Sequence, residues 1–458
     1  MLAYSLITLE RDIRAWKNHL LRINPLRQTI ALYAENSAHW LAIDIACQRA
    51  AIDLIPIPTF FSNDQLQRLI SQHPFYGTLV TDELADRLPF QVESSQSCPI
   101  LGWQFIRHEQ IPNNGSGSGC KVTFTSGSTA DPKPIVLSAK SQRQTAAALF
   151  KLREHLRLRR HLCMLPLSLL LENVAGAYSC LLSGGEVIAP NTSETGLTGS
   201  SHFDAERAWH LIRESGANSI ILLPQMLKEL INQASNSKPL TDLRFIAVGG
   251  ARVTPETIAA ARAVGLPAYQ GYGLSEAGSV VSLNMPHSDR ICSVGRPLEH
   301  VKIRIAEDGE IIVQQISGRL TPGSIDVPTG DLGRIDADGF LYVEGRKKNQ
   351  IITGFGRNVS PEWPESLLED QEPIAQALVF EDDQSAVAAL LVPVNVDISD
   401  EQLQSAVDRV NHGLPDYARI SGWQRFEAGF TKFNGLATPN GRPRRAAILQ
   451  QLREGTYS

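Results

Sequence analysis

Short apolar runs alternate with longer apolar or amphipathic stretches along the first part of the chain. Residues 29–33, 54–58 and 78–81 are apolar runs of strand length, and residues 40–51, between the first two runs, form an apolar stretch long enough for a buried helix. The alternation continues through residues 160–270. Strands that alternate with helices predict α/β layers with a largely parallel sheet.

The pattern changes after residue 290. In residues 291–343 the apolar runs are short and are separated by Asp-Gly pairs, which is typical of β-hairpins. Beyond Arg346 the pattern predicts a small α+β domain. We therefore expect an α/β protein with a large N-terminal domain, residues 1–346, built of layered α/β subdomains with a β-rich portion, and a small, mobile α+β C-terminal domain, residues 347–458.

The composition narrows the class of protein. With 458 residues, 43% hydrophobic and 20% charged, the chain is long enough to bury a large core in more than one domain. A net charge of -5 and a pI near 6.1 give no electrostatic footprint for nucleic acid or for an anionic membrane. The cysteines lack CxxC spacing and the histidines lack HExxH, which disfavours a zinc site and favours reduced thiols.

The apolar runs also bear on location. No run approaches the roughly 18 to 20 residues needed to cross a bilayer, so we expect no transmembrane segment. Residues 1–12 lack both a basic region and a small-residue cleavage site, so we expect no signal peptide. The sequence therefore predicts a cytoplasmic protein.

A stretch rich in hydroxyl groups follows a strand predicted at residues 121–123. Its candidate ligand-binding residues are Thr125, Ser126, Gly127, Ser128, Thr129 and Lys133. Small residues let the backbone curl around an anion, hydroxyl and N–H groups donate to its oxygens, and an ammonium adds charge. The stretch is thus a candidate phosphate loop, although it lacks the Walker A pattern. An ordinary serine- and glycine-rich surface loop is the alternative.

Two glycine motifs follow later strands. They are Gly249-Gly250-Ala251 and Gln270-Gly271-Tyr272-Gly273-Leu274-Ser275-Glu276. Ligands approach the backbone closely at the carboxyl ends of strands in open α/β sheets. The Tyr272 ring is suited to stacking on a planar base, Ser275 to donating to phosphate, and Glu276 to holding Mg²⁺. Each motif taken alone is also compatible with a plain turn.

The β-rich portion carries two further candidates. Thr329-Gly330-Asp331 places a carboxylate where ribose hydroxyls are commonly bound. Arg346, which follows Gly345, is suited to ribose or phosphate oxygens.

In this order, the motifs resemble those of the AMP-forming acyl-adenylating superfamily, which contains acyl-CoA synthetases, nonribosomal peptide adenylation domains and luciferases. The resemblance covers nearly the whole chain and includes the terminal motif Thr438-Pro439-Asn440-Gly441-Arg442. Within the superfamily, the sequence most resembles fatty acyl-CoA synthetases, because residues 165–174 are rich in leucine and Glu172 matches a glutamate of that group.

The resemblance implies an ATP-dependent ligase. A carboxylic acid, fatty in the leading interpretation, would react with Mg·ATP to give acyl-AMP and pyrophosphate. The thiol of CoA or of a phosphopantetheine carrier would then displace AMP. The implied cofactors are ATP, Mg²⁺ and CoA or such a carrier, and the implied partners are a small-molecule acid and, in one variant, an acyl carrier protein.

The resemblance also assigns roles to residues. The residues that would bind the β- and γ-phosphates are Thr125, Ser126, Gly127, Ser128, Thr129 and Lys133, and Ser275 would also contact phosphate. The residues that would line the junction of base and acyl group are Gly250, Ala251, Gly271, Tyr272 and Gly273. Glu276 would bind Mg²⁺, and Asp331 and Arg346 would bind the ribose. Glu276, Lys133 and Arg442 are the expected catalytic residues. Lys348 occupies the position of a hinge about which the C-terminal domain would swing, delivering residues 353–358 for the thiol step.

Three departures from the family pattern leave alternatives open. Ala130 and Pro134 stand where glycine is usual, and Arg442 stands where a catalytic lysine is usual, with Lys432 as a substitute; the chain is also short. One alternative is adenylation of an aryl or amino acid, although residues 166–168 offer no carboxylate for an amino group. A nucleotide- or acyl-binding relative that has lost the chemistry is the other.

Overall fold

The structure, a computed structural model, describes residues 3–61, 63–89, 94–108, 117–125, 133–198, 202–315, 325–352, 358–382, 386–431, 433–438 and 441–454. It divides into two compact units. Unit 1 contains residues 1–250, 261–281 and 298–300, and unit 2 contains residues 251–260, 282–297 and 301–458. Across the described ranges, no helix combines the length and apolarity needed to cross a membrane.

Unit 1 is built of two sheets with helices packed against them. Its helices are α1 (Leu6–Ile23), α2 (Ala38–Ala50), α3 (Asn63–Gln72), α4 (Asp82–Ala85), α5 (Ala139–His155), α6 (Ser179–Leu182), α7 (Ala205–Ser215) and α8 (Pro224–Ala234), and α9 (Pro255–Ala263) has residues in both units. A π-helix (Leu171–Tyr178) precedes α6, and a 3₁₀-helix spans Ser275–Ala277.

The first sheet of unit 1 carries the predicted phosphate loop. Its strands are β1 (Ile30–Tyr33), β2 (Leu54–Ile57), β3 (Gly77–Thr81), β4 (Ser94–Ser97), β5 (Trp103–Arg107), β6 (Lys121–Thr125) and β7 (Lys133–Leu137), in the order β4-β5-β3-β1-β2-β6-β7. The central strands β3, β1, β2 and β6 are parallel, and β4, β5 and β7 pair antiparallel at the two edges. The central strands β1 and β2 are buried along their whole length, which explains why both are continuous apolar runs in the sequence.

The five strands that unit 1 contributes to the second sheet are parallel. These strands are β8 (Arg160–Leu162), β9 (Glu186–Ile188), β12 (Ser219–Leu222), β13 (Phe245–Val248) and β14 (Ala268–Tyr272). Between β9 and β12, the strands β10 (Leu197–Thr198) and β11 (His202–Phe203) form a separate antiparallel pair. The order β9-β8-β12-β13-β14 brings the carboxyl ends of β12, β13 and β14 side by side. Ligands bind at this edge in open α/β sheets.

Unit 2 is mainly antiparallel. Its strands are β15 (Ser282–Leu283), β16 (Arg296–Pro297), β17 (Val301–Ile305), β18 (Glu310–Gln315), β19 (Ile325–Ile335), β20 (Leu341–Arg346), β21 (Ile351–Ile352), β22 (Asn358–Val359), β23 (Ile374–Glu381), β24 (Val387–Pro393) and β25 (Gly422–Arg425). A meander of β17 to β20 is followed by a β23-β24-β25 sheet with α10 (Glu362–Glu369), α11 (Asp400–Gly413) and α12 (Arg445–Glu454).

Local sequence signals explain where several of these elements begin and end. Ser5 and Ser399 form capping boxes at the start of α1 and α11, which satisfies N–H groups that a helix end leaves free. Gly216, with φ of 60°, ends α7 in the left-handed conformation that favours glycine. In α11, Leu403, Val407 and Val410 recur at helical spacing and are buried on one face.

The compact units do not divide the chain at residue 346. The β-rich residues 301–346 group with the C-terminal part instead of with unit 1. The predicted boundary concerns the part of the chain that would swing about Lys348, and it stays a prediction.

Two histidines of unit 1 lead to a testable dependence of stability on pH. Desolvation lowers the pKa of His108 and of His300 to about 4. Their Nε2 atoms lie 2.9 Å from Thr78 Oγ1 and 3.1 Å from Thr145 Oγ1. The unfolded chain binds a proton at each histidine near pH 6.5, whereas the folded chain does not until about pH 4. The associated stability is therefore complete above pH 6.5 and is lost as the pH falls towards 4.

We expect the free energy of unfolding to fall by about 1 to 2 kcal/mol per histidine between pH 7 and pH 5. Urea titrations at several pH values measure it. His108→Gln and His300→Gln should each flatten the profile, and His412→Gln, at an exposed position of α11, should leave it unchanged. A profile that the first two substitutions do not alter would contradict the assignment.

Candidate active site

The predicted phosphate loop starts and ends on paired strands. Thr125 is the last residue of β6 and Lys133 is the first residue of β7, and the two are cross-strand partners. Ser126, Gly127, Ser128 and Thr129 lie outside the described residues. The two ends of the loop are therefore fixed by an antiparallel ladder, while the role of its side chains stays a prediction.

The glycine pair lies at the carboxyl end of β13, as predicted. Gly250 has φ of +85°, a conformation that favours glycine, and a Cβ there would lie 2.9 Å from Leu223 Cδ2 and 3.8 Å from Leu171 Cδ2. A Cβ on Gly249 would lie 3.5 Å from the carbonyl oxygen of Gly271, at the end of β14. The edge of the second sheet thus combines exposed backbone with an apolar wall of two leucines. Ala251, the next residue, is exposed and belongs to unit 2.

The segment after β14 turns tightly. Tyr272 is the last residue of the strand, and its carbonyl accepts a hydrogen bond of 2.8 Å from Val281 N. A Cβ on Gly273 would lie 1.7 Å from the carbonyl oxygen of Ser279, so only glycine fits. Ser279 has φ of 97°, which is strained for a residue with a side chain. This strain accompanies a turn that presents the next two candidates.

Ser275 and Glu276 begin the 3₁₀-helix that this turn encloses. Ser275 is half-buried and Glu276 is exposed. Carboxylate oxygens are ligands that Mg²⁺ accepts, usually together with substrate phosphates and water. The placement of Glu276 therefore fits the predicted metal contact.

Unit 2 brings together the two predicted ribose-binding residues. Asp331 of β19 and Arg346 of β20 are cross-strand partners, and Arg346 Nε lies 2.9 Å from Asp331 Oδ1. Arg346 also donates to the carbonyl of Thr329 over 3.0 Å. Gly330, with φ of 69°, allows the bend between Thr329 and Asp331. The carboxylate is buried and the guanidinium is partly exposed, so both are held in one geometry.

Arg442 lies within the electrostatic reach of this pair. The surrounding protein desolvates its guanidinium and lowers its pKa, the positive charge of Arg346 lowers the pKa further, and Asp331 raises it. The residue keeps access to solvent, so the desolvation is partial, and arginine remains charged at neutral pH. The structure therefore gathers Asp331, Arg346 and Arg442 in unit 2, whereas Gly250, Gly271, Tyr272, Gly273, Ser275 and Glu276 belong to unit 1.

The predicted hinge residue is exposed. Lys348 lies in a 3₁₀-helix, Lys347–Asn349, directly after β20. The preceding Lys347 donates to Asp308 and, over 3.0 Å, to Glu310 Oε2, so the chain is anchored up to that residue. Residues 353–357 and the substitute Lys432 lie outside the described residues.

Sequence reasoning missed one buried polar cluster next to these motifs. Glu172 of the π-helix receives His161 Nε2 at 2.7 Å and the backbone N–H groups of Met164 and Leu165 at 3.1 and 2.9 Å. A Cβ on Gly176 would lie 2.3 Å from Glu172 Oε1 and 2.4 Å from His161 Nε2. Cys163 lies close enough that the three groups resemble a metal-ligand set. Because both carboxylate oxygens already accept protein hydrogen bonds, the cluster is better described as a hydrogen-bonded core.

Comparison with known proteins gives a consistent picture. The family model described as "AMP-binding enzyme" matches residues 18–324, more than half of the chain. A 2-succinylbenzoate–CoA ligase of Lactococcus lactis subsp. lactis is 24% identical over 424 residues, which cover 87% of each chain. An indoleacetate–CoA ligase of Aromatoleum aromaticum is 26% identical over 397 residues, covering 77% of this chain and 75% of the relative. A long-chain-fatty-acid–CoA ligase of Mycobacterium bovis is 29% identical over 227 residues, covering only 42% and 38%.

Solved structures share the fold. An anthranilate CoA ligase in complex with anthranoyl-AMP superimposes with a TM-score of 0.77 at 16% identity, over 98% of this chain and 92% of that one. The O-succinylbenzoate CoA synthetase of Bacillus subtilis, in complex with ATP and magnesium ion, gives 0.71 at 21% identity, over 97% and 94%. These likenesses confirm the predicted α/β fold.

Proposed function

The chain belongs to the family of AMP-binding enzymes, and from this premise we propose that it is an ATP-dependent ligase that activates an aryl carboxylic acid and transfers it to the thiol of CoA. The observation that carries the proposal is the share of this chain that each named relative matches. The 2-succinylbenzoate–CoA ligase and the indoleacetate–CoA ligase described above match 87% and 77% of the chain, whereas the long-chain-fatty-acid–CoA ligase matches 42%. The proposal thus adopts the aryl-acid alternative over the fatty-acid interpretation.

Two features of the edge of the second sheet support an apolar aryl acid. Leu171 and Leu223 stand over Gly250, which gives an uncharged wall at the place where ligands bind in such sheets. Glu172, the nearby glutamate of the π-helix, is fully committed to His161 and two backbone N–H groups, so it is not available to anchor the amino group of an amino acid. Both features disfavour the amino-acid alternative.

The reaction has two steps. In the first, a carboxylate oxygen of the acid bonds to the α-phosphorus of ATP, the bridging bond to the β-phosphate breaks, and pyrophosphate leaves. In the second, the thiol sulfur of CoA bonds to the acyl carbon, the bond from that carbon to AMP breaks, and the thiol proton passes to solvent. Mg²⁺, bound with ATP, neutralises charge on the phosphate oxygens.

The residues of this chain bind and orient. We assign the phosphates to Thr125, Lys133 and the loop between them, the base to Tyr272, and Mg²⁺ to Glu276. The ribose falls to Asp331, whose position is fixed by the ion pair with Arg346. Arg442, near both, supplies the charge that a lysine usually supplies in the family. Positioning and charge neutralisation of this kind carry most of the catalysis in such displacements.

The proposal predicts an order of substrates. With Mg·ATP, we expect exchange of pyrophosphate into ATP with aryl acids such as 2-succinylbenzoate, indoleacetate and anthranilate, with kcat/KM at least about tenfold above that for fatty acids of twelve or more carbons, because a binding pocket rejects poorly fitting substrates by 1 to 3 kcal/mol. Amino acids serve as the negative arm. A preference for long fatty acids would contradict the aryl assignment and restore the first interpretation.

A further inference from the structure

A charged pair is buried in the middle of unit 1. Lys121 Nζ lies 2.8 Å from Asp44 Oδ2, and the two side chains are 2% and 1% exposed. Lys121 also donates to Asn173 Oδ1. Asp44 Oδ2 accepts two further hydrogen bonds, from Asn173 Nδ2 over 3.0 Å and from Tyr178 OH over 2.7 Å. We call these four residues the Lys121 network.

Aromatic rings and an amide complete the surroundings. The ammonium lies 5.1 Å from the ring centroid of Tyr178 and 5.9 Å from that of Trp40. Gln48 donates to Tyr178 OH over 2.8 Å. Desolvation lowers the pKa of Lys121, and the charge of Asp44 and its hydrogen bond oppose this. The ammonium is therefore held by two oxygen acceptors and lies near two aromatic rings.

Stability alone does not explain such a pair. Removing two charges from water is costly, and replacing a buried ion pair by apolar residues of similar volume is often neutral or stabilising. The side chains of the network come from three different elements, namely α2 (Asp44), β6 (Lys121) and the π-helix (Asn173 and Tyr178). What the pair achieves beyond stability is a fixed geometry among these elements.

One of these elements leads directly to the phosphate loop. Lys121 is the first residue of β6 and Thr125 is the last, so the ammonium is anchored about 13 Å along the strand from the start of the loop. Thr125 pairs with Lys133, where the chain returns from the loop. A shift of β6 would therefore move both ends of the loop.

The π-helix leads to the acid side of the site. Three consecutive residues of it contact different parts of unit 1: Leu171 stands over Gly250, Glu172 is held by His161 and the backbone after β8, and Asn173 joins the Lys121 network. Short π-helical turns occur frequently at functional sites. This turn is thus connected to both sheets of unit 1.

From this arrangement we infer that Lys121, Asp44 and Asn173 are positioning residues, which fix the strand that enters the phosphate loop relative to the π-helix that carries Leu171. The inference rests on the proposed function. It means that the network sets the spacing between the groups that hold ATP and those that hold the acid, without touching either substrate. Loss of the network should weaken the use of both substrates together.

The decisive variant removes both charges at nearly constant volume. Lys121→Met/Asp44→Leu is expected to lower the melting temperature by several degrees but to stay folded at the assay temperature, because the buried Asn173 amide and Tyr178 hydroxyl lose partners. It should raise the KM for ATP and the KM for the acid each by about tenfold, and weaken Mg·ATP binding measured by calorimetry by a similar factor. Glu10→Leu/Arg49→Met is the matched control, since it removes a partly exposed ion pair that joins α1 to the same helix α2. That control should leave both KM values and the affinity for Mg·ATP unchanged.

A second variant covers the case in which the double variant does not fold. Asn173→Leu/Tyr178→Phe keeps the Lys121–Asp44 pair and removes the hydrogen bonds that join it to the π-helix, and it should produce the same joint rise in both KM values. Either variant, folded and with wild-type KM values and Mg·ATP affinity, would overturn the inference. If the wild type binds Mg·ATP but activates none of the acids, the proposed function fails instead, and the network is judged by Mg·ATP affinity alone.

Discussion

Replacing Arg442 with alanine is expected to lower the rate of pyrophosphate release by about 100- to 1,000-fold, the loss typical of removing one preorganised charge from a transition state. The reason is its location. Arg442 is close enough to Asp331 and Arg346 for both charges to act on it, and the resemblance places a catalytic lysine at this position. Mg·ATP should still bind, because the other assigned contacts remain. Initial rates at saturating ATP and acid measure the effect.

Two further variants separate charge from shape. Arg442→Lys restores the charge in the form that is usual in the family, and we expect it to retain activity within about tenfold of the wild type, since an oriented site distinguishes the two cations. Arg453→Ala, at an exposed position in the last turn of α12, is the control and should behave as the wild type. If Arg442→Ala releases pyrophosphate at the wild-type rate, the role belongs to another cation, and Lys432 becomes the next candidate.

The second large effect concerns Gly273. Gly273→Ala would place a methyl group 1.7 Å from the carbonyl oxygen of Ser279, so the backbone has to move. That carbonyl belongs to a turn whose N–H at Ser279 donates to Leu274 over 3.1 Å, and the turn carries Ser275 and Glu276. We expect the efficiency kcat/KM for Mg·ATP to fall by about 100-fold or more, as displacements near 1 Å do in oriented sites.

Dependence of the rate on ATP and on Mg²⁺ concentration measures this effect. Gly413→Ala is the control, because nothing lies within 4 Å of the position that a methyl group would take at Gly413. Both variants should be folded when checked by circular dichroism. An unaltered efficiency for Mg·ATP in Gly273→Ala would show that the Ser275 and Glu276 turn does not contact the nucleotide.

The fold was largely predictable because its signals are local. Continuous apolar runs marked β1, β2 and β3, and the Asp308-Gly309 pair marked the turn between β17 and β18. Element boundaries are less predictable: β8 ends at Leu162, and the backbone N–H groups of Met164 and Leu165 beyond it donate to Glu172. A carboxylate brought from ten residues away decides that boundary, and local propensity does not contain it.

Part of the candidate site could also be predicted from the sequence, and part of it could not. Motif order predicted Asp331 and Arg346 as ribose ligands, and the structure pairs them across β19 and β20. The Lys121 network could not be assembled from the sequence, because its members come from α2, β6 and the π-helix and are separated by up to 134 positions. An isolated lysine in an apolar strand was the one available signal. Pairing over such distances is a property of the tertiary structure.

Gly176 couples the evolution of three residues, namely His161, Glu172 and Gly176 itself. Its missing side chain leaves the only room for Glu172 Oε1 and His161 Nε2 to meet, since a methyl group there would lie 2.3 and 2.4 Å from them. An evolutionary step to alanine at 176 is therefore accessible only to a lineage that has already given up the histidine or the glutamate. These three positions are therefore expected to vary together among homologous chains. A homologue with a different residue at one of them should also differ at the other two.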